Sequence, residues 1–288
     1  MTRRTVIAIL ALSLGIAGYP AAQTAPAPSR IVSLVPPVTQ IIFAIGAGRR
    51  VVGVGTFDRE PAEVNTLPRV GGLLNPSTER ILALNPDLVV VYDAQQELKQ
   101  ALMRAQVPFY SYAHRDLANV TTTIRELGAR LGTPAPAERL TREIDQGLQA
   151  IAARVKGRPR PALLLVFGRD ARSLGGIFAN GGYGFLHDMV EIAGGRDVFD
   201  DVKRENVQAS TELILARRPE IIIELHPPSD TQIDLSPWNT LSSLPAVRNR
   251  RVHQLVGDQF LDAGPRVVEA TEQISRLLHP EAWRGRAQ

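Results

Sequence analysis

Ser77-Thr78-Glu79-Arg80-Ile81-Leu82-Ala83-Leu84-Asn85-Pro86-Asp87, followed by the apolar run Leu88–Tyr92, has a second copy in the chain. That copy is Ser210-Thr211-Glu212-Leu213-Ile214-Leu215-Ala216-Arg217-Arg218-Pro219-Glu220, followed by Ile221–Leu225. The two are offset by 133 residues and share seven identities and one acidic exchange over eleven positions. Each reads as a helix–strand junction, a short helix followed through a Pro-acid pair by a strand. The run that follows is continuously apolar, as in a strand buried on both faces of a parallel sheet. A smaller echo pairs Gly46-Ala47-Gly48-Arg49 with Gly194-Gly195-Arg196, each before an apolar strand start. Chance accounts for one or two such matches between helix–strand junctions, not for this many. The chain is read as two related lobes, with the cleft between them as the ligand site.

Outward from the repeat, Ile31–Val35, Val51–Val54 and Phe109–Tyr112 join Leu88–Tyr92 as predicted strands, and Thr39–Ile45 is a predicted helix. The second half predicts strands at Ala162–Phe167, Ile221–Leu225 and Val252–Val256, with helices at Phe185–Ala193 and Val267–Leu278. This alternation gives an α/β fold with a mainly parallel sheet, flanked by helices, in each lobe. Between the halves Thr133 can cap a helix and Pro134 suits its first turn. Leu140, Ile144, Leu148, Ile151 and Val155 then form one apolar stripe, and Gly157 and Pro159 end it. About 24 residues at 1.5 Å each make a rigid rod roughly 35 Å long. The expected organisation is an export signal over 1–27, an N-terminal lobe over 28–132, a backbone helix over 133–157 and a C-terminal lobe over 158–288.

Of 288 residues, 44% are apolar, which excludes intrinsic disorder. The absence of cysteine excludes disulfides, thiolate metal sites, a cysteine nucleophile and a lipid-modified cysteine. Thirty-three Lys and Arg against 29 Asp and Glu give a net charge of only +4. The densest basic cluster, Arg248, Arg250 and Arg251, has no interleaved aromatics, so no nucleic-acid partner is expected. Arg3 and Arg4 precede an apolar run from Val6 to Ile16 and then a stretch of small residues and prolines up to Pro28. That is the pattern of a cleaved secretory signal; an uncleaved anchor is the alternative, and the paired arginines also fit the twin-arginine route. No later segment is long and apolar enough to cross a bilayer. The expectation is a protein exported to a periplasm, its signal removed, and not a lipoprotein.

Arg30-Ile31-Val32-Ser33-Leu34, Gly46-Ala47-Gly48, Val52-Gly53-Val54, Gly71-Gly72, the unit from Glu79 to Val91, Gly194-Gly195 with Val198-Phe199, and Glu212 to Pro219 carry a resemblance. Over roughly Ser29 to His279 the chain resembles the periplasmic substrate-binding proteins of metal-chelate ABC importers, the helical-backbone class that delivers cobalamin, haem or ferric siderophores. The resemblance implies two α/β lobes on one long helix and an ABC importer permease as partner. Glu79 and Glu212 each fall at a helix start, where the dipole favours a carboxylate by about 0.3–1 kcal/mol. That alone would explain them. The resemblance implies more: the matching glutamates dock onto permease arginines, a directional pairing that fixes register.

Ligands of open α/β lobes sit beyond the carboxyl ends of strands. On that rule the ligand-binding candidates are Pro37, Asn75, Tyr92, Tyr112, Phe167, Arg169, Tyr183, Asp258 and Phe260. Aromatics give contact area at small entropic cost, and Arg169 would meet ligand carboxylate or catecholate oxygens. Each aromatic has an alternative as an ordinary core or rim residue. Family members that bind cobalamin bring tryptophans to the cleft; here Trp238 and Trp283 lie late in the chain, and Leu73 and Asn206 stand where such aromatics would be. Haem would want an axial Tyr or His, for which Tyr92, Tyr112 and His114 qualify. The glycine-rich stretch from Gly175 to Gly184 lacks dinucleotide-loop spacing and is read as a mobile surface loop. The five histidines show no i, i+4 pairing, and no Gly-x-Ser-x-Gly elbow occurs. The expectation is a monomeric carrier with no catalytic residue, no cofactor and no protein-held metal. The alternative is a bare Zn or Mn receptor, or an exported metalloenzyme, on the same frame.

Overall fold

In the computed structural model, which describes residues 26–230 and 232–284, every strand of the first sheet is followed by a helix. The export signal expected over 1–27 lies, but for its last two positions, outside the described residues. The first lobe runs β1 (Ile31–Ser33), α1 (Pro36–Ala44), β2 (Val51–Val54), α2 (Thr78–Ala83), β3 (Leu88–Tyr92), α3 (Gln96–Arg104), β4 (Phe109–Tyr112) and α4 (Ala118–Arg130). Its four strands are all parallel, in the order β2-β1-β3-β4. Helix α1 begins earlier than the spacing predicts, because Pro36 and Pro37 occupy its first turn, where a missing N–H costs nothing.

The backbone helix α5 (Pro134–Val155) follows as predicted, and the chain leaves it through Gly157 at φ +78°. One detail differs. The Thr133 hydroxyl does not cap the helix but is buried without a partner. The second lobe contains β5 (Ala162–Gly168), β6 (Ile177–Asn180), α6 (Phe185–Ile192), β7 (Arg196–Asp197), β8 (Asn206–Ala209) and α7 (Thr211–Arg217). It continues through β9 (Ile221–His226), α8 (Pro245–Arg248), β10 (Val252–Val256), α9 (Val267–Leu278) and α10 (Pro280–Trp283). No helix among the described residues is long and apolar enough to cross a membrane.

The repeat in the sequence is a repeat in topology. Strands β7, β5, β9 and β10 are parallel and stand in the same order as β2, β1, β3 and β4. Register agrees too: Ile31 pairs with Leu88 in the first lobe and Leu163 with Ile221 in the second, and Leu88 and Ile221 are matched positions of the repeat. The second lobe adds β6, antiparallel to β5, and β8, antiparallel to β6, so its sheet is mixed.

This corrects the reading of the glycine-rich stretch as a surface loop. Its centre is strand β6, with Ile177, Ala179 and Asn180 buried. Gly181 and Gly182 then pass so close to the backbone of residues 200–204 that a Cβ on Gly182 would lie 2.1 Å from the Asp200 carbonyl oxygen. The glycines serve close packing rather than mobility.

Side chains alternate across both sheets with the period of two that strands impose. Val32, Leu34, Val89 and Val91 face an outer core, while Ile31, Val35, Leu88 and Val90 face inward. In the second lobe Leu164, Val166 and Ile222 face outward, and Leu163, Leu165, Ile221 and Ile223 inward. The inward sets of both lobes belong to one core, bridged by Ile144 of α5 and by Val267, Ala270 and Ile274 of α9. Each such side chain contributes about 1.5–3 kcal/mol by burial.

Candidate ligand cleft and docking carboxylates

The parallel strands of both lobes end on one cleft, and the residues just beyond them build its walls. In the first lobe Tyr92 and Tyr112, paired across β3 and β4, meet edge to face with centroids 6.3 Å apart. The Tyr112 hydroxyl lies 3.4 Å from His114 Nδ1, and the His114 ring stands edge-on to Phe185 of the second lobe at 4.7 Å. Burial holds the His114 pKa below its ordinary value, so the ring is neutral near pH 7. The aromatic chain therefore crosses from one lobe to the other. Close by, Asp188 Oδ2 of α6 accepts the Leu117 N–H at 2.8 Å, a second tie across the seam.

Between the lobes lies a cavity of about 190 Å³ lined by His114, Phe167, Tyr183 and Phe185. Asn180 at the end of β6, Asn206 at the start of β8 and Glu205 just before it supply its polar wall. Asn180 is rigidly held: its Nδ2 donates to Asp197 Oδ2 at 2.6 Å, joining β6 to β7. Burial pushes the Asp197 carboxyl up to about 6, against the pull of the Phe199 amide and Asn180.

Two further carboxyls, Asp58 and Asp262, lie near enough to Tyr92 for their charges to raise its phenol pKa. Asp58, just past β2, is 1% exposed, and neither of its carboxyl oxygens has a hydrogen-bond partner. The neighbouring Thr39 hydroxyl donates to Ser33 Oγ at 2.8 Å instead. Burial pushes Asp58 up to about 6, with the charge of Arg69 opposing. Asp262, which follows the 3-10 turn Asp258–Phe260, is pushed to about 7 by burial and by the charges of Asp258 and Asp58, with Arg266 opposing. Burial and the Asp262 charge raise the phenols of Tyr92 and Tyr112 as well.

Of the predicted ligand residues, Phe167 and Tyr183 line the cavity, while Tyr92 and Tyr112 pack behind His114, Tyr112 buried in the core. Pro37 is buried against Gly264 of the other lobe. Asp258 contributes its carbonyl oxygen to the Leu261 and Asp262 amides and its charge to Asp262. Asn75 serves the turn before α2, its Oδ1 accepting the Gly72 N–H at 3.1 Å. Phe260 is wholly inside the core, and its neighbour Leu261 lines the cavity instead.

Arg169 is committed internally. Its Nε donates to Glu224 Oε1 at 2.6 Å and its Nη2 to Glu224 Oε2 at 3.2 Å. The remaining donors reach the carbonyls of Asp170, Ala171, Ser173 and Asp234. Glu224 also accepts from the Trp238 indole, and His226 lies between it and Asp230 at 3.0 and 3.1 Å. The signal for this network was a lone acid inside the apolar run of β9. No three His, Asp or Glu side chains among the described residues are placed to hold a metal ion.

Glu79 and Glu212 are exposed, and neither has an ion-pair partner among the described residues. Their settings match. Ser77 Oγ accepts the Arg80 N–H at 3.3 Å, and Ser210 Oγ accepts the Leu213 N–H at 3.2 Å, so each carboxylate sits in the first turn of a capped helix. The Glu212 carboxyl lies below its usual pKa because its own amide and the Ser210 hydroxyl bond to it.

Comparison with known proteins agrees with this geometry. The periplasmic binding protein family profile matches residues 31–258. The vitamin B12-binding protein of Vibrio parahaemolyticus is 26% identical over 248 residues, covering 85% of this chain and 87% of its own. An uncharacterized ABC transporter substrate-binding lipoprotein of Bacillus subtilis, YvrC, is 26% identical over 266 residues, with coverage of 89% and 82%. The periplasmic haem-binding protein RhuT of Roseiflexus sp. RS-1, solved in apo form, superposes with a TM-score of 0.74 at 28% identity, covering 88% of this chain and 99% of that one. With sequence, fold and lobe repeat in agreement, the chain belongs to the periplasmic binding protein family, among the substrate-binding proteins of metal-chelate ABC importers.

Proposed function

We propose that this protein is an exported receptor that captures a metal chelate between its lobes and delivers it to an ABC importer permease. The observation that carries the reading is the cavity at the seam, where His114 of the first lobe stands against Phe185 of the second and Phe167 and Tyr183 add aromatic surface for a broad, largely apolar ligand. A chelate brings its own metal ligands, so the cleft has only to recognise the organic surface. In this reading residues 28–132 and 158–288 are the lobes, 133–157 the rod between them, and Arg169 braces the wall instead of touching the ligand. The carrier is monomeric and free in the periplasm, and no step of chemistry is assigned to it.

Glu79 and Glu212 are the docking points. Two exposed carboxylates, one per lobe and in matching helix starts, suit bidentate pairing with arginines of a partner whose own halves are related. Titration of the purified protein with cobalamins, haemin and ferric siderophores, followed by absorbance and intrinsic fluorescence, tests the receptor reading; binding of at least one is expected, and binding of none overturns it. Charge reversal at both glutamates should abolish uptake in cells while ligand affinity is retained. Loss of affinity instead would make them pocket residues.

A further inference from the structure

The walls of the cleft are unbalanced in charge. Among the described residues that line the cavity there is no lysine or arginine, and Glu205 is the one formally charged side chain. Glu205 has no hydrogen-bond or ion-pair partner for its carboxylate among the described residues. Its stem lies against Gly184, where a Cβ would stand 3.2 Å from Glu205 Cγ. That glycine adopts φ +95°, a conformation other residues rarely take, so the backbone keeps the space that Glu205 fills.

The arginines nearest in sequence to lining residues, Arg115 and Arg204, are exposed and do not line the cavity. Two reach the seam: Arg169 is engaged with Glu224 and four carbonyls, and Arg266, which does not line the cavity, bonds Gln40 through its Nε while its Nη2 is buried without a partner. Behind the aromatic floor stand Asp58, whose carboxyl is buried without a partner, and Asp262.

We infer that this cleft selects metal chelates of neutral or positive net charge, with Glu205 as the specificity-determining carboxylate. The inference rests on the chelate-receptor reading and narrows it. A ligand entering the cavity loses water on the faces that touch the wall, and a negative group placed there meets carboxylates with no cation to neutralise it. A cationic or neutral chelate, such as a corrinoid or a ferric trihydroxamate, meets the same wall favourably or without penalty. Ferric tricatecholates and haem, whose periphery carries two carboxylates, are disfavoured.

Calorimetric titration at fixed low salt with aquocyanocobinamide, cyanocobalamin, ferrioxamine B, haemin and ferric enterobactin tests this. The expected result is that the tightest ligand is cationic or neutral and exceeds each anionic chelate at least tenfold. Glu205→Gln should shift the cation-to-anion affinity ratio by about threefold or more toward the anions, and Glu205→Asp should restore it. An anionic chelate as the tightest ligand, or a ratio unmoved by Glu205→Gln, overturns the inference while leaving the receptor reading intact. Binding of no chelate of any charge overturns the receptor reading, and this inference with it.

Discussion

The two lobes share a frame and diverge at the positions that matter. Through the strand registers, Tyr92 and Tyr112 of the first lobe correspond to Leu225 and Leu255 of the second, the same cross-strand pair in each sheet. Val91, in the outer core of the first lobe, corresponds to Glu224, which anchors Arg169, His226 and Trp238 in the second. Counting on along β1 and β5, Pro37 matches Arg169. One backbone thus carries an aromatic face on one side of the cleft and a buried charge network on the other. The second lobe also has what the first lacks, the antiparallel pair β6 and β8, and these bring Asn180, Glu205 and Asn206 to the cavity. The cavity lining is divided unevenly: the first lobe supplies His114, while the second supplies the aromatics Phe167, Tyr183 and Phe185 and, through its addition, the polar wall.

The strongest way to break that contrast is at position 224. Glu224→Ala leaves the Arg169 guanidinium buried and unpaired, and the expected loss of stability by denaturant melt is about 3–5 kcal/mol. Val91→Ala, its counterpart, removes only apolar bulk and should cost about 1–2 kcal/mol. Equal effects at the two positions would mean that the network does not brace the second lobe. Next in size is Asn180→Leu, which takes the partner from Asp197 at the junction of β6 and β7. A loss of about 1–3 kcal/mol is expected, with weakened chelate binding because the added wall loosens.

The third prediction concerns pH. The Asp58 and Asp262 carboxyls, raised to about 6 and about 7, hold protons more tightly folded than unfolded. Their contribution to stability is therefore fully present below the ordinary carboxylate range and is lost as pH rises through about 6 and then about 7. Asp58→Asn with Asp262→Asn should flatten the fall in melting temperature between about pH 5 and pH 8, with a gain on the order of 1–2 kcal/mol at the upper end. A double variant that keeps the wild-type slope would assign the slope elsewhere, Asp197 being the next candidate. Smallest are the two caps. Ser77→Ala and Ser210→Ala should each cost about 1 kcal/mol and, because the helices are matched, by similar amounts.

How far these features can be read in the sequence follows from their range. The repeat, the rod and the buried strands rest on local periodicity and caps, and they appear in the residues directly; Leu88–Tyr92 and Val252–Val256 stand where the apolar runs put them. Strand β6 was hidden because its four residues lie among glycines, whose meaning as close-packing positions depends on a backbone twenty residues later. Strand β8, Asn206–Ala209, is polar on its exposed positions and offered no apolar run. At the site, two of the residues named by the strand-end rule, Phe167 and Tyr183, line the cavity. Asp58, four residues past β2, is a strand-end residue by the same rule. Arg169 and Phe260 went the other way: a residue type that suits a ligand suits a buried ion pair or a core equally, and only the partner decides.

The inward core that passes through α5 and α9 from one sheet to the other has a consequence for how the molecule comes apart. Neither lobe can lose its inner face without exposing apolar side chains of the other, so neither has a stable state of its own to unfold from. Denaturant should meet one cooperative unit of about 260 residues and not two of half that size, with coincident transitions by fluorescence and circular dichroism and a steepness set by the surface of the whole chain.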